Sequence, residues 1–251
     1  MSKPIDILGA EYELDPQLEI YVDGQKIKNE KSHEFNTIGE YKIQYIFYQN
    51  KINLNYMFKD INSLISIELK SIKNASISSL ISAFENCNNL NSFNITGFYT
   101  EEINSTNKLF CNTKLSEIDL SELNFQNIEH MSYMFASTTL KELNLSKIIT
   151  SKVKDMSYML YNIPTITELD ISKFRTNNVE NMSHLFESCD SLSKINLGNI
   201  NTEKVIDMSS MFKNCVSLEE IDLSNLITKS VTDMSNMFDN CPSLNFLNLS
   251  F

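Results

Sequence analysis

Three kinds of side chain in this sequence could do chemistry, and each recurs at a fixed spacing. Methionines stand one and four residues ahead of a bulky apolar residue, at Met131 and Met134, Met156 and Met159, Met208 and Met211, and Met234 and Met237. Converging thioethers of this sort could bind a soft metal. Cysteines Cys87, Cys189, Cys215 and Cys241 share a position three residues after the same apolar residue, while Cys111 is out of register. Thiolates brought together could hold zinc or close a disulfide. Carboxylates and amides alternate strictly at a third position: Glu68, Asn94, Asp119, Asn144, Asp170, Asn196, Asp222 and Asn248. Two residues earlier the sequence has Ser66, Ser92, Glu117, Glu142, Glu168, Lys194, Glu220 and Phe246. An acidic array of this kind could meet a cation or a basic partner.

The elements that must position these groups are set by the apolar residue itself. It is Phe58, Phe84, Phe110, Phe135, Leu160, Phe186, Phe212 and Phe238, in steps of 26, 26, 25, 25, 26, 26 and 26 residues. A period of that length is the mark of a solenoid, in which each unit packs only on its neighbours. Within a unit, Val205, Met208, Phe212 and Cys215 follow the spacing of one face of a short helix. The residue five before the marker is Asn53, Ser79, Ser105, His130, Asp155, Asn181, Asp207 or Asp233. All but the histidine are residue types whose side-chain oxygen caps a helix N-terminus. Leu218, Ile221 and Leu223 then alternate as a strand should. The one-residue losses fall between marker and strand, at Phe110–Leu115 and Phe135–Leu140, so both periods survive. The expected fold is therefore an α/β leucine-rich-repeat solenoid of eight 25–26-residue repeats, with a parallel sheet along one side.

That period settles how the reactive groups are read. Methionines at repeat positions are fillers between helix and sheet, a use suited to an unbranched, polarizable side chain. Rungs about 5 Å apart bring Cys189, Cys215 and Cys241 within reach of one another. No histidine shares their column, because His33, His130 and His184 fall at unrelated positions. Buried, reduced thiols are expected, and no metal or other cofactor. The sequence holds no phosphate loop and no nucleophile paired with a base, so no catalytic residue is expected and the chain is read as no enzyme. The outward strand positions remain. In a parallel sheet their side chains stand side by side, where like charges repel and an intervening amide relieves the repulsion. Glu117, Asp119, Glu142, Asn144, Glu168, Asp170, Asn196, Glu220 and Asp222 are the expected protein-binding face, with solvation of the sheet as its plainer role.

Residues 1–50 do not repeat. Leu18 to Ile27 is two alternating stretches about Asp23-Gly24, a hairpin signal, and Tyr41 to Tyr48 has the period of a strand. This segment is expected to be a small β cap (1–50) on the solenoid (51–251). The net charge of −11 and the scattered Lys and Arg exclude a basic stripe for nucleic acid. No apolar run is long enough to span a membrane as a helix.

The whole unit, running from Val205 through Met208, Met211, Phe212, Cys215, Leu218, Ile221 and Leu223 to Ser224, resembles the repeat of the BspA-like leucine-rich repeat family. That repeat is shared with surface lipoproteins of mycoplasmas and with many proteins of single-celled eukaryotes. The resemblance implies a leucine-rich-repeat solenoid and, in bacterial members, attachment to proteins at the cell surface. It brings no catalytic residues. The expected function is a non-catalytic protein-interaction or assembly module, with a cell-surface adhesin-type protein or fragment as the alternative. Met1 to Asp6 lacks a basic stretch and apolar core, so a cytoplasmic location is expected, or the cell surface if a signal lies upstream. At the far end, Phe238, Phe246, Leu247, Leu249 and Phe251 are expected to pack on further repeats or on another chain acting as a cap.

Overall fold

A computed structural model describes residues 4–71, 74–146 and 148–249. The N-terminal part is built from short antiparallel strands. β1 (Ile5–Asp6) pairs with β4 (Ser32–His33), and β2 (Glu19–Val22) lies between β3 (Gln25–Ile27) and β5 (Ile43–Ile46). Val22 faces Gln25 across a two-residue turn in which Asp23 and Gly24 have φ of 47° and 80°. Those left-handed values suit a hairpin between right-twisted strands. The segment shares one apolar core with the first rung: Leu8, Tyr12, Leu18 and Ile20 are buried with Leu54, Met57 and Phe58. The Tyr45 ring meets Phe58 edge-on at 5.3 Å. Gly9 donates its N–H to Met57 O at 2.7 Å, and a Cβ there would lie 2.1 Å from Tyr56 O. Only glycine permits that approach.

From residue 51 onward the chain is a stack of similar rungs with parallel strands. β6 (Lys51–Asn53) pairs with β8 (Ser76–Ser79), β7 (Ser66–Lys70) with β9 (Ser92–Thr96), β10 (Glu168–Asp170) with β11 (Lys194–Asn196), and β12 (Glu220–Asp222) with β13 (Phe246–Asn248). The core runs through the middle of the stack. Phe58, Phe84, Phe110 and Phe135 lie face to face at 5.3, 5.7 and 5.9 Å, and Phe186, Phe212 and Phe238 at 5.2 and 5.5 Å. Leu160 separates the two runs. Leu169, Ile171, Leu218, Ile221 and Leu223 are buried as the alternation of the strand segments predicts, Phe93, Ile118, Leu143 and Ile195 are partly buried, and in the last rung Leu247 and Leu249 are exposed.

The expected α/β character is corrected: among the described residues there is no helix. The segments that read as helices are successive tight turns. In each rung the residues two before and two after the marker have positive φ, as at Ser210 (55°) and Asn214 (59°). An α-helix of L-residues cannot hold such values. Main-chain bonds explain why the chain accepts them. Met208, Ser210, Phe212 and Asn214 donate N–H to the carbonyls of Asp233, Ser235, Met237 and Asp239 in the next rung, at 2.9, 2.8, 2.9 and 2.8 Å. The residues between, Met211, Lys213 and Cys215, donate three residues back within their own rung. A four-residue turn repeated in this way points Met208, Phe212 and Cys215 inward at nearly helical spacing. The oxygens expected to cap helices cap these turns instead: Asp207 Oδ1 accepts from Ser209 N–H at 2.8 Å and Asn181 Oδ1 from Ser183 N–H at 2.9 Å.

The sheet is also less continuous than expected. Segments 115–120 and 140–145, in the two 25-residue repeats, carry no strand. In these rungs Thr113 and Thr138 replace the recurrent cysteine, and their hydroxyls donate to the carbonyls of Phe110 and Phe135 at 2.9 Å. That local bond accommodates the missing residue at the turn.

Candidate functional site

The polar face of the strands places the two expected columns side by side. Glu168 is opposite Lys194 and Asp170 opposite Asn196; Glu220 is opposite Phe246 and Asp222 opposite Asn248. Glu117, Asp119, Glu142, Asn144, Glu168, Asp170, Asn196, Glu220 and Asp222 are all exposed. The two columns differ in what their side chains do. The Asp and Asn column is turned back on its own chain. Oδ1 of Asp119, Asp170 and Asp222 accepts the N–H two residues on, from Ser121, Ser172 and Ser224, at 2.8, 2.8 and 2.9 Å. Asn144 does the same with Ser146 at 3.0 Å and Asn196 with Gly198 at 3.1 Å. Gly198 is needed there, since its φ is 59° and a Cβ would meet Ser172 Cα at 2.6 Å.

Acid and amide are interchangeable in this turn because both offer the same oxygen. Their alternation adds a bond between rungs: Asn248 Nδ2 donates to Asp222 Oδ1 at 3.1 Å. The Ser172 hydroxyl, then its N–H, and Asn196 hold the Asp170 carboxyl below the usual carboxylate range. Ser224 and Asn248 do so for Asp222. The glutamate column has no such attachments. Among the described residues, the side chains of Glu117, Glu142, Glu168 and Glu220 make no ion pair, and they project past a fixed base.

The cysteine column is satisfied internally. Sγ of Cys87, Cys189, Cys215 and Cys241 donates to the carbonyl of the preceding rung's marker, at 2.9, 3.1, 3.1 and 3.0 Å. Burial pushes the thiols of Cys87 and Cys189 up to about 12 and raises that of Cys215 further still. All five cysteines are free, Cys241 alone being half-buried. The methionines at rungs ending before residue 212 are buried, whereas Met234 is exposed. Among the described residues no group of three His, Cys, Asp or Glu is placed to hold a metal ion.

Two features escaped the sequence reading. At the position two after the marker, asparagines form a second ladder. Asn86 Nδ2 donates to Asp60 and Asn112 Nδ2 to Asn86, both at 2.7 Å, and Asn240 Nδ2 to Asn214 at 3.0 Å. All sit at positive φ, which asparagine tolerates. At the position two before the marker, the rings of Tyr133, Tyr158 and His184 stack at 4.4 and 4.1 Å, and His184 Nδ1 meets the Glu187 carboxylate. Reading down that column would have revealed three consecutive rings. At the other end of the chain Phe238 is half-buried on Phe212, while Phe246, Leu247 and Leu249 are exposed. Phe251 lies outside the described residues.

Residues 52–168 and 162–248 each match the repeat family described as "Mycoplasma protein of unknown function, DUF285". The chain belongs to that family. The DUF285 match covers the rungs and carries no catalytic family with it. No curated protein matches the chain. Among solved structures, a leucine rich cell surface protein from Faecalibacterium prausnitzii A2-165 is similar at 17% identity with a TM-score of 0.29. The similarity covers 74% of this chain and 60% of that one, so the chain spans less than two thirds of that protein's length.

Proposed function

We propose that the chain is a non-catalytic protein-interaction module of the BspA-like leucine-rich-repeat type, working through the glutamate column of its strand face. The observation that carries this reading is the difference between the two columns. Asp119, Asn144, Asp170, Asn196 and Asp222 are tied to their own turns. Glu117, Glu142, Glu168 and Glu220 stand exposed on that fixed base. An acidic strip held by a rigid scaffold raises the association rate and selectivity for a basic protein surface more than its raw affinity. The partner is accordingly a protein with a complementary Lys- and Arg-rich face.

We place the module inside the cell. All five cysteines are free, which favours a reducing compartment, where structural disulfides are rare. The Asn-x-Ser/Thr sequences at Asn144, Asn181 and Asn248 fall on residues that cap turns or bridge rungs, where a glycan would interfere. Affinity capture from the cells of origin, with the natural chain and with Glu117, Glu142, Glu168 and Glu220 changed to Lys, tests the strip. Proteins recovered by the natural chain should be lost with the variant, at an unchanged unfolding midpoint. An identical set would return the strip to its solvating role.

A further inference from the structure

The first strand of the long polar face has an open edge. β7 pairs with β9 alone among the described strands. Ile65 O accepts from Asn91 N–H at 2.9 Å and Ser71 N–H donates to Thr96 O at 3.0 Å, both toward β9. In a parallel ladder successive residues aim their main-chain groups to opposite sides. Ser66, Glu68 and Lys70 therefore aim N–H and C=O away from β9, and among the described residues nothing pairs with them. The N-terminal segment, which covers Phe58 and Met57 in the same rung, leaves this edge bare.

Beside the edge lies a cleft of about 490 Å³. One wall is Leu64 of the turn before β7 with Ile67 of β7 itself, and the other is Phe35, Tyr41 and Ile43 of the N-terminal segment. The second wall is preformed. Phe35 packs on Tyr41 with ring centroids 4.3 Å apart, and the Tyr41 hydroxyl donates to Thr37 O at 2.7 Å. Among the cleft's lining residues the only charged ones are Asp6 and Glu40.

We propose that this edge and cleft together bind an extended peptide segment of a partner protein, which adds as a further strand beside β7. Only another extended backbone supplies donors and acceptors at the repeat of a strand, about 6.6 Å for every second residue. Side chains on one face of that strand enter the apolar cleft, so the segment carries apolar residues at alternate positions. Asp6 and Glu40 at the mouth call for Lys or Arg flanking them. The occupant is thus a basic-flanked, β-prone peptide, at a site separate from the glutamate column and independent of its role.

The probe is a synthetic peptide alternating valine and threonine between terminal lysines, titrated into the whole chain by fluorescence anisotropy with parallel amide hydrogen exchange. Saturable binding should slow exchange at Ser66, Glu68 and Lys70. Methylating the peptide nitrogens of one alternate set should weaken binding about tenfold or more, and of the other set should not, because only one set faces β7. Glu68→Pro removes an N–H that points outward, a change an edge strand tolerates. It should weaken binding by a similar factor while leaving the unfolding midpoint in place. Glu142→Lys should leave peptide binding unaltered. The proposal is overturned if the peptide does not bind or binds without slowing these amides. It also fails if the amides are already slow in the free chain, or if both methylated sets bind alike. Uptake of an apolar dye that the peptide fails to displace would point to a small-molecule pocket and count against it too.

Discussion

Replacing Phe212 by Ala tests the stack of rings that runs through the rungs. Phe212 is fully buried between Phe186, at 5.2 Å, and Phe238, at 5.5 Å. Truncating a buried phenylalanine typically costs about 3–5 kcal/mol, the upper part when the site cannot collapse. Collapse is hindered here, because the adjoining rungs are held at fixed spacing by the bonds from Phe212 N–H to Met237 O and from Phe186 N–H to Met211 O, each 2.9 Å. The next residue provides the control. Lys213 lies half-exposed, 3.5 Å from the Asp239 carboxylate, and such a surface pair contributes roughly 0–1 kcal/mol. With a urea slope of about 3 kcal/mol per molar, Phe212→Ala should lower the midpoint by about 1–1.7 M and Lys213→Ala by at most about 0.3 M. Unfolding can be followed by tyrosine fluorescence and circular dichroism, the sequence having no tryptophan. Phe238→Ala, at a half-covered position, should fall between the two. Equal midpoints for the Phe212 and Lys213 variants would refute the stacked-core account.

Alkylation should modify Cys241 first and leave Cys87, Cys189 and Cys215 untouched until denaturant is added, as read by mass spectrometry; simultaneous labelling of all five would contradict their burial. Because the folded thiols of Cys87 and Cys189 are raised from 9.0 to about 12, the unfolded chain releases its protons first. The contribution of these two thiols should therefore be constant below about pH 9 and fall steadily as pH rises toward 12, so that a Cys87→Ser, Cys189→Ser variant should lose less across that window. Asn214→Ala should cost about 1–2 kcal/mol, since alanine resists the left-handed backbone, and Asn214→Gly should recover part of it; urea midpoints in the order natural, Gly, Ala check this, and because both variants lose the oxygen that accepts from Asn240, the reverse order of the two would refute the backbone account.

Much of the architecture could be read from single residues. The spacing of Phe58 to Phe238 identified the rung, and the alternation of Leu218, Ile221 and Leu223 identified what faces inward. Asp23-Gly24 marked a hairpin because both residues accept positive φ, and β2 and β3 meet there. The oxygens at Asn181, Asp207 and Asp233 signalled that an exposed N–H needed a partner two or three residues on. That inference held although the element it served was different: the same local chemistry caps a helix or a tight turn.

The alternation of acid and amide in the strand column was visible in sequence, but its cause was not. Mutual repulsion across the sheet suggested a solvated or binding strip. The bonds from Asp119, Asp170 and Asp222 to serine N–H groups two residues on show a tie to the backbone that any column of Asp and Asn could make. Only the glutamates beside them are left to project freely.

What the sequence by itself determined, then, is the rung: its length, its inward apolar residues, and the polar types that end each turn. What the tertiary structure decided is the path between those points. Val205, Met208, Phe212 and Cys215 fit a helix or a series of turns equally well, because both bring residues three and four apart to one side. The choice depends on where the N–H groups of Met208, Ser210, Phe212 and Asn214 find acceptors. A helix would supply them within the segment. Here they come from Asp233, Ser235, Met237 and Asp239 in the next rung, and those carbonyls are in place only once the rungs have stacked.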